Sequence, residues 1–95
     1  MTRPSKLDRA DVDTWLGQHP MWVREGEALA ATFKVADFAA ALAFAVRLGM
    51  IAEKRDHHPD LGIAWGKVNV LWTTHDAGGI TRLDLELAEA TERLG

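Results

Sequence analysis

Cysteine is absent from this 95-residue chain, which excludes disulfides and thiolate-bound metals as sources of stability. No run of Lys or Arg is long enough to track a phosphate backbone, and the 14 acidic residues outnumber the 11 basic ones for a formal charge of −3. Direct nucleic-acid binding is therefore not expected. No stretch approaches the roughly 18 uninterrupted apolar residues that a membrane-spanning helix needs. Nor does an apolar segment follow Met1-Thr2-Arg3-Pro4-Ser5-Lys6, as a secretory signal would require. A soluble, cytoplasmic protein is the expectation. Internal repeats, linkers and low-complexity tracts are also missing, apart from two similar hairpin-then-helix halves. One domain over residues 1–95 follows, since a second core would need on the order of 100 residues more. A domain this small buries only about 60–65% of its unfolded surface. With crosslinks excluded, oligomerisation is the common remaining supplement.

The apolar residues that are present fall into helical and strand periods. Val12, Trp15 and Leu16 share one face of a first helix that Ser5 or Asp8 can cap and that His19-Pro20 ends. From Trp22 the period becomes two. Trp22-Val23-Arg24, a turn at Glu25-Gly26-Glu27, and Leu29, Ala31, Phe33 and Val35 alternating with Ala30, Thr32 and Lys34 predict a β-hairpin. Asp37 is a suitable N-cap for a helix over 38–53. Phe38, Leu42, Ala45, Val46 and Gly49 line one side of it, and Phe44, Leu48 and Ile51 extend the apolar surface to a second side, taken as the outer one. A helix apolar on two sides needs two partners. A polar loop from Arg55 to Asp60 leads to a second hairpin. Its expected turn is Gly66-Lys67, and Val68, Val70, Trp72 and Thr74 alternate with Asn69, Leu71 and Thr73. Gly78-Gly79 allows a sharp bend. Thr81 then caps a last helix, with Asp84 in a capping-box variant, Ile80 placed to staple onto Leu85, and Leu83, Leu87, Ala90 and Leu94 at helical spacing. The order α-β-β-α-β-β-α predicts an α+β fold: a four-stranded antiparallel sheet with helices packed on one face.

Three of the four histidines stand where regular structure ends: His57-His58 after the long helix and His75 after the last strand. Such loops are where rigid scaffolds display catalytic groups. Glu53 lies four residues before His57, and Asp56 and Asp76 each adjoin a histidine. The bland alternative is a set of surface histidines beside acids. A zinc site built from His57, His58, His75 and Glu53 is a second functional candidate, although no H-x-x-x-H or H-E-x-x-H spacing supports it. Trp15, Trp65 and Trp72 occupy apolar-periodic positions and are expected in the core, Trp22 is either core or a ligand platform, and His19 is a loop residue.

The run Ala52-Glu53-Lys54-Arg55-Asp56-His57-His58-Pro59-Asp60, followed by Leu71-Trp72-Thr73-Thr74-His75-Asp76-Ala77-Gly78-Gly79-Ile80-Thr81, resembles the two signature blocks of pterin-4a-carbinolamine dehydratases, roughly A-E-K-x-x-H-H-P-E and L-T-T-H-x-A-G-G-L-T. The resemblance extends from about Trp22 to Leu94 and includes the strand-to-helix junction Phe33-Lys34-Val35-Ala36-Asp37-Phe38. Leu61, Ile63 and Trp65 stand where the family often has Trp, Asn and Tyr, and Asp60 replaces the commoner Glu. Every histidine of the blocks is kept.

This resemblance implies removal of water from 4a-hydroxytetrahydrobiopterin by histidine acid-base catalysis. A histidine pKa near 6.5 suits a group that gives or takes a proton near neutral pH. It implies His57 and His75 as the proton-transfer pair, His58 as a pterin-orienting group, and Glu53 as a carboxylate that holds a histidine or the pterin edge. Asp56, Thr73, Thr74, Asp76 and Trp22 follow as substrate contacts. The pterin is substrate, so no cofactor or prosthetic group and no metal is implied. Some relatives also serve as dimerisation cofactors for a homeodomain transcription factor, which keeps a binding-module alternative open. The two apolar sides of the 38–53 helix predict a homo-oligomer with that helix at a subunit interface, and the resemblance implies the number, a tetramer built from two dimers.

Overall fold

Periodicity in the sequence and hydrogen bonding in the structure give the same element order. The computed structural model describes residues 4–94. It contains α1 (Arg9–Gln18), β1 (Val23–Glu25), β2 (Ala28–Lys34), α2 (Phe38–Arg55), β3 (Asp60–Ala64), β4 (Lys67–Trp72), a single 3-10 turn (His75–Ala77) and α3 (Arg82–Leu94). The strands form one antiparallel sheet in the order β1-β2-β4-β3, so the two hairpins meet through their long strands. Leu29, Ala31 and Phe33 stand opposite Trp72, Val70 and Val68. These six are buried under the helices, whereas Thr32, Lys34, Lys67 and Asn69 on the other face are exposed. Alternation at period two thus covers one side of the sheet and leaves the other open. Val12 and Trp15 join the core from α1, as expected.

The capping of α2 follows its sequence. Asp37 accepts a hydrogen bond from the Ala40 amide at 2.8 Å, supplying one of the donors that a helix start leaves unpaired. At the other end, Asp56 adopts a left-handed conformation with φ 51°. Its amide bonds back to Glu53 and that of His57 to Ala52, the paired closure of a Schellman motif. Aspartate tolerates this conformation better than most residues with a Cβ. At the start of α1, Asp8 is the cap residue but makes no side-chain hydrogen bond there.

Several expectations need correction. The inward face of α2 is Ala41, Phe44, Ala45, Leu48 and Ala52, so Phe44 and Leu48 point into the core, not outward. Phe38, Leu42, Val46 and Met50 form the exposed stripe, at 46%, 44%, 62% and 68% exposure. The alanines flanking Phe44 let the helix sit close to the sheet, where Phe44 packs on Phe33 with ring centroids 5.1 Å apart. In the second hairpin the register pairs Ala64 with Lys67, which makes the turn Trp65-Gly66. Gly66 takes its second position with φ 75°. Trp65, expected in the core, therefore sits on a turn tip at 73% exposure. The buried face of α3 is Asp84, Leu87, Ala88 and Thr91. Leu83, Ala90 and Leu94 are only partly buried. Two polar residues hold inward positions on this helix, and both serve the site.

Candidate active site

The Schellman closure of α2 decides the fates of the two adjacent histidines. His57 turns inward and is 6% exposed, whereas the His58 side chain is 56% exposed. The His57 ring lies parallel to Trp72, with centroids 5.7 Å apart and planes within 12°. Trp72 is itself fixed, its indole donating to Thr91 Oγ1 at 3.1 Å and that hydroxyl donating to the Leu87 carbonyl at 2.7 Å. A buried ring locked in this way has one orientation available.

His57 Nε2 lies 2.6 Å from Asp84 Oδ1. Asp84 is fully buried in the first turn of α3. Its other oxygen accepts from Thr74 Oγ1 at 2.7 Å and from the Thr81 amide at 2.9 Å. The Thr81 amide is the contact that the capping-box reading predicts. The same carboxylate thus holds both a helix start and a histidine. A buried carboxylate needs several donors to replace lost water, and these contacts supply them. When ionised, that carboxylate only accepts, which makes Nε2 the donor of the His57–Asp84 bond. Sequence reasoning missed Asp84 as a site residue because its capping role sufficed to explain it. The available signal was its place on the stripe Asp84, Leu87, Ala88, Thr91, where an acid would be unpaired unless something inside met it.

His75 opens the 3-10 turn after β4 and is exposed. The turn closes on itself. Thr74 and Gly79 form an isolated antiparallel bridge, and the amide of Gly78, with φ 79°, returns to the His75 carbonyl. His57, His58, Thr73, Thr74, His75 and Asp76 line one open pocket of about 200 Å³. The histidines that sequence separates into two spots therefore share a single concavity.

The remaining candidate residues lie elsewhere. Glu53 is exposed and reaches the pocket only through His58, whose Nε2 is 2.7 Å from its Oε1. Asp56 closes α2 and does not line the pocket. Trp22 is 2% exposed, packs its ring against Trp15 and Phe33, and donates to Glu92 Oε2 at 2.9 Å. It is a core residue with no face to offer a ligand. Its neighbour His19, read as a loop residue, stacks on Trp15 and also bonds Glu92. Among the described residues, no group of three His, Asp or Glu side chains is arranged to hold a metal ion. In this arrangement Asp84 engages His57 and Glu53 engages His58. A larger concavity of about 780 Å³ lies on the open face of the sheet, around Val23, Thr32, Asn69 and Leu71, but contains no histidine. The three histidines line the smaller one.

What the arrangement can do is move protons. Two imidazoles on different elements reach the pocket, one buried and held by a carboxylate and the other exposed, with a third beside them. Such groups transfer protons without redox or metal chemistry.

The chain is similar to known proteins in sequence and fold. The sequence profile of the family described as pterin 4 alpha carbinolamine dehydratase matches residues 5–94. A Thermosynechococcus vestitus protein, provisionally named a pterin-4-alpha-carbinolamine dehydratase, is 44% identical over 94% of each chain. A Roseiflexus protein with the same provisional name is 39% identical over 95% of this chain and 97% of its own. Among solved structures, one titled transcriptional coactivator/pterin dehydratase from Brucella melitensis superposes with a TM-score of 0.89 at 30% identity, covering 95% of this chain and 98% of that one. A pterin dehydratase-like protein identified as a RuBisCO assembly factor in the alpha-carboxysome shares the fold at a TM-score of 0.65 and 21% identity, over 77% of this chain and 87% of its own. By sequence profile, identity over nearly its whole length, and fold, this chain belongs to the pterin 4 alpha carbinolamine dehydratase family.

Proposed function

We propose that this protein removes water from a 4a-hydroxytetrahydropterin to give the quinonoid dihydropterin, with His57 and His75 as the proton-transfer pair. The observation that carries this reading is the convergence of His57, His58 and His75 on one pocket, with Asp84 buried behind His57. In the reaction, the C4a–O bond breaks as one imidazole delivers a proton to the departing hydroxyl, which leaves as water. The other imidazole accepts the proton lost from a ring nitrogen, and the freed electron pair forms the C=N bond of the quinonoid product. One proton is given and one is taken, so the protein's proton count is unchanged, and a return transfer through solvent restores the donor and acceptor imidazoles to their starting states. Thr73, Thr74 and Asp76 border the space where the heterocycle would lie. His58, supported by Glu53, stands at its rim to orient the ring.

The same reading places the protein in the cytoplasm as a homo-oligomer acting in tetrahydrobiopterin regeneration. The exposed apolar stripe of α2 supports self-association, since soluble monomers avoid large apolar patches. A binding module for a transcription factor is the alternative, and turnover separates the two. In a stopped-flow absorbance assay of quinonoid formation, His57→Ala and His75→Ala should each lower the rate by about 10²-fold or more with the far-ultraviolet circular dichroism unchanged. Near-wild-type turnover in both variants would overturn the assignment.

A further inference from the structure

The 3-10 turn that carries His75 has two sides. One faces the histidine pocket, and residues before α1 lie across the other. Lys6 forms an isolated antiparallel bridge with Thr81, and the Leu7 amide bonds to the Ile80 carbonyl at 2.9 Å. Pro4, Ser5 and Lys6 border a small cavity whose far wall is Asp76 and Ala77, inside the turn itself. The segment 4–7 is thus a strap laid over the return path of the loop from β4 to α3.

Lys6 is the fastener of this strap. Its ammonium lies 3.1 Å from Glu27 Oε2, in the turn of the first hairpin. The carbonyl of the same Glu27 accepts a 2.6 Å hydrogen bond from Thr73 Oγ1, two residues before His75. The Lys6 alkyl chain passes over Gly79, where an added Cβ would come within 2.9 Å of Lys6 Cε and 3.1 Å of Glu27 Oε1. A side chain at Gly79 would thus have to displace the end of the lysine, while the backbone there is not in the left-handed region that itself favours glycine. Glu27, Thr73, Gly78 and Gly79 also line a second cavity with His75 that does not include His57.

We infer that Lys6 is a positioning residue for His75: its ion pair with Glu27 and its packing over Gly79 clamp the 3-10 turn between the first hairpin and the N-terminal strap. An exposed ion pair contributes little to global stability. Its leverage is local. Buried Thr74 and Gly79 anchor the two ends of the turn, but His75 and Asp76 between them are exposed, and small displacements of a catalytic group cost rate out of proportion to stability.

The test compares Lys6→Ala, Lys6→Met and Lys6→Arg by steady-state kinetics, with thermal melts in parallel. Lys6→Ala should lower kcat about 5- to 10-fold with KM changed less than about twofold, because geometry rather than binding is lost. Lys6→Arg, which keeps charge and reach, should recover most of the rate. Lys6→Met keeps the packing and loses the ion pair, so it should fall between the two. Gly79→Ala should impair the wild type more than it impairs Lys6→Ala, since it acts by displacing the lysine. Unchanged kcat in Lys6→Ala, or a loss that Lys6→Arg does not recover, would overturn the inference.

This inference rests on the dehydratase reading. A wild type without turnover would end that reading, and amide hydrogen exchange would still decide the role of the strap. The amides of Ala77, Gly78 and Gly79 are all bonded within the turn and should exchange faster in Lys6→Ala. Unchanged protection there overturns the clamp independently of activity.

Discussion

Asp84→Asn tests how the buried carboxylate acts, because the structure specifies which way the new amide must turn. Oδ2 faces two donors, Thr74 Oγ1 at 2.7 Å and the Thr81 amide at 2.9 Å, and Oδ1 faces only His57 Nε2 at 2.6 Å. The asparagine carbonyl takes the two-donor side, which directs its NH₂ at His57. Two N–H groups cannot face each other, so the imidazole must expose a bare Nε2 and carry its hydrogen on the other nitrogen. Only one hydrogen bond to a charged acceptor changes its sense, so the expected loss of stability is about 1.5–3 kcal/mol. The expected loss of turnover is larger, about 10²–10⁴-fold, because the wrong tautomer removes a proton-transfer group while leaving the fold in place. Asp84→Ala is a poorer probe, since it leaves buried donors unpaired and combines folding with catalysis. Stopped-flow kinetics give the rate, and nitrogen-15 correlation spectra of the ring report which atom carries the hydrogen. Turnover within about threefold of wild type, with Nε2 still protonated, would refute the tautomer argument.

Two other outcomes are open to direct measurement. Exhaustive treatment with a strong chelator should leave turnover unchanged, since the proposed chemistry moves protons between imidazoles; activity lost to the chelator and restored by added zinc would contradict it. Val46→Glu or Met50→Glu, on the exposed stripe of α2, should lower the oligomeric state seen by light scattering at micromolar concentration while the chain stays folded, whereas Phe44→Glu should unfold it by burying a charge in the core. A wild-type monomer under these conditions would show that the stripe has no partner copy.

Local chemistry made much of this architecture readable. Asp37 at the start of α2 and the alternation of Leu29, Ala31 and Phe33 each depend on neighbours a few residues away, and each appears in the structure as expected. The faces of α2 were not readable in this way. A helix apolar over most of its circumference offers two equivalent docking directions, and the choice between them is made by Phe33 on a different element. Trp65 was misplaced because a turn shifted by one residue moves a side chain from core to tip. Trp22 had two credible roles, and the structure seats it against Trp15, Phe33 and Glu92. The signature histidines could be found from sequence, but Asp84 required knowing what α3 packs against. Its partner His57 is 27 residues earlier in the chain, and no local pattern joins them.

The central pairing of β2 with β4 has a kinetic consequence. Thr32 Oγ1 donates to Asn69 Oδ1 across that junction, between residues 37 apart in sequence, so the sheet that unites the two hairpin-and-helix halves is closed by non-local contacts. Closing so long a loop is entropically unfavourable until the strands align, which makes docking of the halves the natural rate-limiting event in folding. His57 reaches the pocket from the end of α2, His75 from the end of β4, and Asp84 from α3, so none of the three is in place until that junction has zipped. Catalytic competence should therefore appear late on the folding pathway and all at once, so that recovered turnover during refolding reports completed assembly rather than the earlier formation of helices and hairpins.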